Sequence, residues 1–185
     1  MSKQITKASV QEFMDMGQIY PVKPTPETVL KGAKLIRDEV VELLEEYYGN
    51  VTINIEVSNP LSEEEINEGE AAGEWADIVY ITEQQAVENG VAIHEAFDEK
   101  HRSNMSKVIP TETSNEVIKE LLAFAYIKYP STQLFPTEGG FVMKCPINNK
   151  LIKPHSLYSP AVMQEGLHYG LYDTTYANGS REALV

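Results

Sequence analysis

The amino-acid sequence predicts an all-α fold: a helical bundle of about five helices with an irregular C-terminal extension. Before residue 130, apolar residues recur at steps of three and four along several segments, which is the period of an amphipathic helix. Beyond residue 130, prolines, glycines and tyrosines become frequent and this period is lost. We therefore expect one domain, in which residues 1–130 are helical and residues 131–185 pack on them as an extension.

The first two helices are separated by a proline-rich segment. ASVQEFMDM (8–16) is amphipathic and precedes a glycine, so we expect a short helix there. IYPVKPTP then interrupts helical structure, because proline fixes φ and lacks a backbone donor. The second helix is expected to begin at Pro26 or Glu27 and to end at Tyr48, before a Gly-Asn stop signal.

The middle of the chain is predicted to hold one short strand and two further helices. VTINIEVSN (51–59) alternates and is rich in β-branched residues, which favours a strand. A long helix is expected from the acidic stretch SEEEINEGE to Gly90, since carboxylates stabilise a helix N-terminus. Another is expected at 91–104.

The last predicted helix spans 114–128, with Ser114 or Asn115 as its cap. After it, FVMKCPINNKLIK is predicted to form a β-hairpin around Asn148 and Asn149. The remaining residues are expected to wrap around the helical core.

Composition and charge restrict the function. The chain has 28 acidic and 15 basic residues and a net charge of −13, which argues against binding to nucleic acid or to an anionic membrane. Its single cysteine, Cys145, cannot form an internal disulfide, which favours a reducing compartment. We find no signal-peptide or transmembrane pattern, so we expect a cytoplasmic protein.

Two carboxylate pairs on predicted helices are the main candidates for chemistry. In DEVVELLEE, Glu39 and Glu42 are three residues apart and therefore lie on one helix face. Glu74 and Asp77 have the same spacing in GEWADIVYITEQ. Since apolar residues surround Asp77 on nearly all sides of its helix, we expect this segment to be buried, where an unpaired carboxylate is costly.

The two pairs are expected to face each other across a helix–helix contact. Four converging carboxylates repel one another, and a bound cation relieves this repulsion. Because the ligands offered are oxygen atoms only, they suit a hard divalent ion such as Mg²⁺ or Mn²⁺. A solvated acidic face and a surface ion-pair network are the alternatives, but few lysines lie near either pair. We interpret Glu39, Glu42, Glu74 and Asp77 as metal ligands.

A compact set of polar donors follows the apolar part of the predicted helix 91–104. HRSNMSK places His101, Asn104 and Lys107 close together in an otherwise acidic chain. A carboxylate-bound Mg²⁺ commonly also holds substrate phosphates, and an amide and an ammonium group would complete such a site. Capping of the helix C-terminus by Arg102 and Lys107 explains the same residues, and the local pattern leaves both interpretations open.

Taken together, these motifs resemble the MazG-like all-α nucleoside triphosphate pyrophosphohydrolase superfamily, which includes phosphoribosyl-ATP pyrophosphohydrolases and dimeric dUTPases. The family pattern ExxE matches Glu39 and Glu42, and ExxD matches Glu74 and Asp77, with ADIVY and HRSNMSK in the expected order. The likeness covers roughly residues 8–108 and is strongest to small MazG-like proteins of bacteriophages.

Two segments depart from the family pattern. The spacer between the two carboxylate pairs is longer than is usual for the superfamily. NNKLIKPHSLYSPAV resembles a tail that normally follows soon after SNMSK, so residues 109–140 look like an insertion. Both departures can reshape the pocket for the base.

The resemblance implies hydrolysis of a nucleoside triphosphate to the monophosphate and pyrophosphate, with Mg²⁺ or Mn²⁺ held by the four carboxylates. It implies that Glu39 and Glu42 are catalytic, and that Glu39 or Asp38 accepts the proton. It also implies a homodimer or homotetramer in the cytoplasm of a bacterial or phage-infected cell. The residues expected to bind substrate are Lys34, His101, Asn104 and Lys107.

The preferred substrate at this point is a purine nucleotide such as dGTP. Hydrolysis of phosphoribosyl-ATP is the alternative within the same class. The alternative from another class is a non-catalytic helical interaction module that binds cations through the same carboxylates.

Overall fold

The computed structural model describes residues 7–147 and 149–163, and these residues form five α-helices and four β-strands. In chain order, the elements are α1 (Lys7–Met16), α2 (Pro26–Tyr48), α3 (Glu68–Glu88), α4 (Ile93–Met105), β1 (Ile109–Pro110), α5 (Asn115–Lys128), β2 (Gln133–Thr137), β3 (Gly140–Cys145) and β4 (Lys150–Ile152). The helices agree with the predicted fold class, but the strands form a sheet, so the chain is not purely all-α. Within the described residues, no helix has the length and apolar character needed to span a membrane.

The chain divides into two compact units, which are described separately. One unit spans Pro21–Val79 and contains α2 and the first part of α3. The other comprises Met1–Tyr20 and Tyr80–Val185. Its described part contains α1, the end of α3, α4, α5 and the sheet.

Helix α2 begins and ends where the sequence predicts. Thr25 caps its N-terminus: Thr25 Oγ1 accepts a hydrogen bond from Thr28 N (3.2 Å), and Thr28 Oγ1 accepts one from Thr25 N (2.8 Å). Pro26 occupies the first turn, where its missing N–H leaves no helical hydrogen bond unmade. The helix ends after Tyr48 at Gly49, whose φ of +79° favours glycine.

The segment between α2 and α3 differs from the prediction in two respects. Residues 51–59 form no strand, because a β-pattern needs a partner strand and the sheet is built from other segments. Helix α3 also begins later than expected. Ser62 N and Oγ both donate to Glu65 Oε2 (2.9 and 2.6 Å) and close a local turn in place of the first helical residues.

The sheet and α5 form the core of the second unit. Strand β3 pairs antiparallel with β1, β2 and β4, with Phe141 opposite Ile109 and Met143 opposite Ile152. The buried apolar cluster between sheet and helix consists of Ile109, Leu121, Ala125, Met143, Cys145 and Ile152. The β3–β4 pairing confirms the predicted hairpin, although Asn148 of its turn lies outside the described residues.

Helix α1 is attached to the sheet by a buried lysine. Lys144 in β3 is 7% exposed, and its Nζ donates to the carbonyl oxygens of Gly17 (3.0 Å) and Gln18 (3.2 Å). These carbonyls follow the C-terminus of α1, where a cation is favourable to the helix dipole. A polar contact therefore fixes the end of α1 against β3.

Candidate active site

The four predicted metal ligands lie on two helices of the same unit. Glu39 and Glu42 are on α2, and Glu74 and Asp77 are on α3. All four side chains are exposed to solvent. Among the described residues, no group of three or more histidine, cysteine, aspartate or glutamate side chains is arranged to hold a metal ion. Both pairs therefore lie on one unit, but their side chains do not form a single cluster.

The expectation that Asp77 is buried is wrong for the chain by itself. Helix α3 has no buried residue, and Trp75 is 41%, Val79 60% and Tyr80 71% exposed. Apolar residues do surround Asp77 along the helix, but the rest of the described chain covers them only in part. The cost of a buried, unpaired carboxylate is thus not an argument for a cation here. The remaining arguments are the charge and the spacing of the pairs.

Helices α2 and α3 approach each other at a glycine. A methyl group on Gly32 would lie 3.4 Å from the end of the Trp75 ring, which is ordinary van der Waals contact. Trp75 stands between Glu74 and Asp77 in the sequence, so this contact is close to the ExxD pair. It is one point of contact between the two helices that carry the carboxylate pairs.

The acid that precedes the ExxE pair already has a partner. Arg37 donates to Asp38 Oδ1 through Nε at 2.9 Å, and through Nη2 as well. These two donors occupy Asp38 Oδ1, so this carboxylate is less available to a water molecule than one without such a partner. Of the two candidates for the general base, this geometry favours Glu39 over Asp38. Lys34, the predicted substrate-binding residue on this helix, is exposed.

The other three predicted substrate-binding residues lie in the second unit, at the end of α4 and just after it. His101 Nε2 is 3.2 Å from Glu12 Oε2 of α1, and the His101 ring stacks on Phe97. Lys107 Nζ donates to Asn104 Oδ1 (2.7 Å) and lies 5.1 Å from the centre of the Phe13 ring. These side chains are part-buried and join α4 to α1.

The electrostatic surroundings of Lys107 are unusual for so acidic a chain. Burial lowers the pKa of its ammonium group, and nearby Lys153, Lys150 and Lys100 lower it further, while the Tyr158 hydroxyl acts in the opposite direction. Within the part of the chain that the structure describes, no carboxylate contributes to this shift. An anion such as a phosphate would be attracted here by several positive charges.

The remaining donors of HRSNMSK hold the segment 158–162 rather than pointing to open solvent. Arg102 donates to Ser159 Oγ (2.8 Å) and to the carbonyl oxygen of Pro160 (2.9 Å). Ser103, which is 2% exposed, shares a hydrogen bond with Tyr158 Oη (2.8 Å). Ser159 N donates to Ser106 Oγ (2.9 Å).

Glu99 completes this attachment. It accepts two hydrogen bonds from Arg102 (2.7 Å each) and one from Val162 N (2.8 Å). These bonds lower the pKa of its carboxyl group to about 2. This role of Glu99 was not predicted from the sequence. The resemblance of NNKLIKPHSLYSPAV to the tail that follows SNMSK in the family did indicate which segment is the partner.

The comparisons with known proteins identify one family. The model of the family described as phosphoribosyl-ATP pyrophosphohydrolase matches residues 10–104, which is just over half of the chain. The matched region runs from within α1 to the end of α4 and includes both carboxylate pairs, whereas α5 and the sheet lie beyond it. No curated protein and no solved structure matches the chain.

Proposed function

Because the chain belongs to the phosphoribosyl-ATP pyrophosphohydrolase family, we propose that it hydrolyses a nucleoside triphosphate to the monophosphate and pyrophosphate. The observation that carries the proposal is the match over residues 10–104, because this region contains Glu39, Glu42, Glu74 and Asp77 in the predicted order. Nucleotide pyrophosphohydrolase activity follows from the family, and the triphosphate substrate is our inference.

The chemistry of the donor set supports a divalent metal as cofactor. The four carboxylates offer oxygen atoms only, which suits Mg²⁺ or Mn²⁺. They are solvent-exposed on two helices of one unit, so a hydrated cation can reach them. When bound, such an ion supplies charge neutralisation on the phosphate oxygens and lowers the pKa of a coordinated water.

The chain's own residues have separate tasks in this proposal. Glu39, which lacks the arginine partner of Asp38, accepts the proton of the attacking water, and Glu42 helps to hold the cation. In the other unit, Lys107 and Asn104 are suited to bind a phosphate group. Asn104 Oδ1 accepts a hydrogen bond from Lys107 Nζ, so the NH₂ group of the Asn104 side chain remains as a donor. The Lys107 ammonium group uses one of its three protons in this bond and has two others with which to bind an anion.

The substrate is proposed to be a purine nucleotide such as dGTP. The second candidate is phosphoribosyl-ATP, which the description of the matched family favours. Both substrates undergo the same cleavage, between the α- and β-phosphates. A non-catalytic cation-binding module is the remaining candidate and predicts no turnover.

An assay of pyrophosphate release tests the proposal. The substrates are the eight common ribo- and deoxyribonucleoside triphosphates and phosphoribosyl-ATP, each with Mg²⁺, Mn²⁺ or EDTA. Release from one or a few substrates, abolished by EDTA, is expected. A folded protein that is silent on all of them, in both metals, contradicts the proposal and favours the binding module.

Two variants connect that activity to the proposed ligands. Glu42→Gln and Asp77→Asn should each lower turnover by at least about 100-fold, since changes even beyond the direct ligands of a metal cost about 10–100-fold. Their folding should be preserved, because both side chains are exposed. Glu46→Gln is the matched control: it removes the same charge from α2 outside the ExxE pair. If all three variants behave alike, the assignment of the carboxylates is wrong.

We also propose that the protein works as a homodimer or homotetramer. Helix α3 carries a run of exposed apolar residues between Trp75 and Ile81, and a second copy of the chain would cover them. Light scattering coupled to size exclusion should give a mass that is a multiple of the 20.7 kDa chain. Val79→Glu should lower that mass, whereas Gln84→Glu, which adds the same charge to α3, should not. A wild-type monomer at micromolar concentration contradicts the proposal.

A further inference from the structure

A groove between α5 and β4 has no role in the proposed reaction. It has a volume of about 290 Å³ and is lined by three lysines, Lys128, Lys150 and Lys153. Two aromatic residues, Phe124 and Tyr129, also line it, and its remaining lining residues are aliphatic. The groove lies within one unit of the chain and contains none of the predicted metal-binding or substrate-binding residues.

The charge of this groove is opposite to that of the protein. The chain has a net charge of −13 with only 15 basic residues, yet among the described residues three lysines and no carboxylate line one small groove. The region of positive charge extends to Lys107, because Lys150 and Lys153 both lower the pKa of its ammonium group.

The aromatic residues offer flat surfaces beside these charges. Lys150 Nζ lies 5.5 Å and Lys128 Nζ 5.8 Å from the centre of the Tyr129 ring. Phe124 is 51% exposed, and the His155 ring lies 4.2 Å from it, centre to centre. A planar heterocycle can stack on such rings, and stacking of this kind tolerates any base.

We propose that the groove between α5 and β4 binds a nucleoside phosphate, with the base against Phe124 and Tyr129 and the phosphate on Lys128, Lys150 and Lys153. The volume is at the lower end of ligand pockets, which range over about 300–1,000 Å³, and suits one small nucleotide. A polynucleotide is a poorer match because the negative charge of the whole chain repels it at long range.

The groove is a second nucleotide site with a different mode of binding from the proposed catalytic one. Its phosphate contacts are lysines, so binding needs no metal, whereas the carboxylate pairs can hold phosphates only through a cation. All of its residues lie beyond the region 10–104 that matches the family. Nothing in this inference depends on the chain being a pyrophosphohydrolase.

Calorimetric titration of the full chain in EDTA tests the inference, with GMP and CMP as probes. Removal of metal silences the carboxylate pairs, and the groove variants separate the heat that remains from binding at Lys107, which does not line the groove. Binding of both nucleotides is expected. Guanosine, which lacks the phosphate, and inorganic phosphate, which lacks the base, should each bind at least tenfold more weakly. Absence of nucleotide binding without metal overturns the proposal.

Groove variants locate the binding. Lys128→Glu should weaken binding of GMP at least tenfold, and Phe124→Leu, which retains an apolar side chain, should weaken it about fivefold or more. Both residues are exposed, so neither change should affect folding, which circular dichroism can check. Lys119→Glu is the matched control, since it reverses an exposed charge on α5 outside the groove. If Lys119→Glu weakens binding as much as Lys128→Glu, or if neither groove variant weakens it, the proposal is wrong.

Discussion

A close backbone approach in the sheet makes Gly140→Ala a sharp test of the fold. Gly140 is buried in β3 and pairs with Pro110 of β1. A methyl group on Gly140 would overlap the carbonyl oxygen of Ile109 and lie 2.9 Å from its carbonyl carbon and 3.2 Å from Pro110 Cα. All of these atoms belong to the backbone, so no side-chain rotation can relieve the overlap.

The cost can be estimated from what must move. Strand β1 has to shift away from β3, which displaces Ile109, a residue with no exposed surface. Loss of that burial costs about 1.5–3 kcal/mol, and forcing extra atoms into a packed region costs about 1–3 kcal/mol more. We therefore expect Gly140→Ala to lower the free energy of unfolding by about 2.5–6 kcal/mol, a large part of the 5–15 kcal/mol that is typical of domains.

Urea denaturation, followed by circular dichroism, measures this difference. Gly139→Ala is the matched control: its added methyl group meets nothing within 4 Å, but its φ is +82°. That left-handed conformation should cost about 1–2 kcal/mol. Equal midpoints for the two variants would refute the pairing of β1 with β3 at Gly140.

Two further predictions concern the core and the attachment of the tail. Met143→Ala removes a side chain that is 1% exposed in the apolar cluster, and should cost about 2–5 kcal/mol in the same denaturation assay; a loss below about 1 kcal/mol would contradict the core. The hydrogen bonds of Glu99 lower its pKa from 4.5 to about 2, so its contribution to stability should be full above pH 4.5 and should be lost as the pH falls towards 2. Glu99→Gln should flatten the decline of the urea midpoint in that pH window, and a decline parallel to that of wild type would refute the role of Glu99.

Helices with strong local signals were predicted well from the sequence. The predicted bounds 8–16 and 26–48 nearly coincide with α1 and α2, because periodicity, capping and prolines are all local features. Ser114 was expected to cap α5, and its Oγ accepts a hydrogen bond from Val117 N (3.4 Å). Such information is contained within a few neighbouring residues.

The sheet was predicted only in part, because pairing between distant segments creates it. Strand β1 has two residues and β2 contains a proline, so neither shows a clear alternation. Both are defined by their partner β3. In contrast, VTINIEVSN shows the alternation but lies on no sheet. A pattern of period two indicates compatibility with a strand and does not supply the partner.

The candidate site was also predicted only in part. The spacing of the carboxylate pairs was readable from the sequence, whereas the solvent exposure around Asp77 was not, because an apolar helix surface does not reveal whether its own chain covers it. The contacts of Arg102 and Ser103 with the segment 158–160 were also missed. Their partners are 55–58 residues away in the sequence, beyond the reach of local patterns.

Phosphorus NMR of the reaction products tests the central claim most directly. The protein is incubated with dGTP or phosphoribosyl-ATP and Mg²⁺, and the resonances of the products are followed over time. Our account predicts that pyrophosphate and the corresponding nucleoside monophosphate appear in equal amounts, and that Asp77→Asn abolishes both. Release of orthophosphate with a nucleoside diphosphate, or equal turnover by Asp77→Asn, would contradict it.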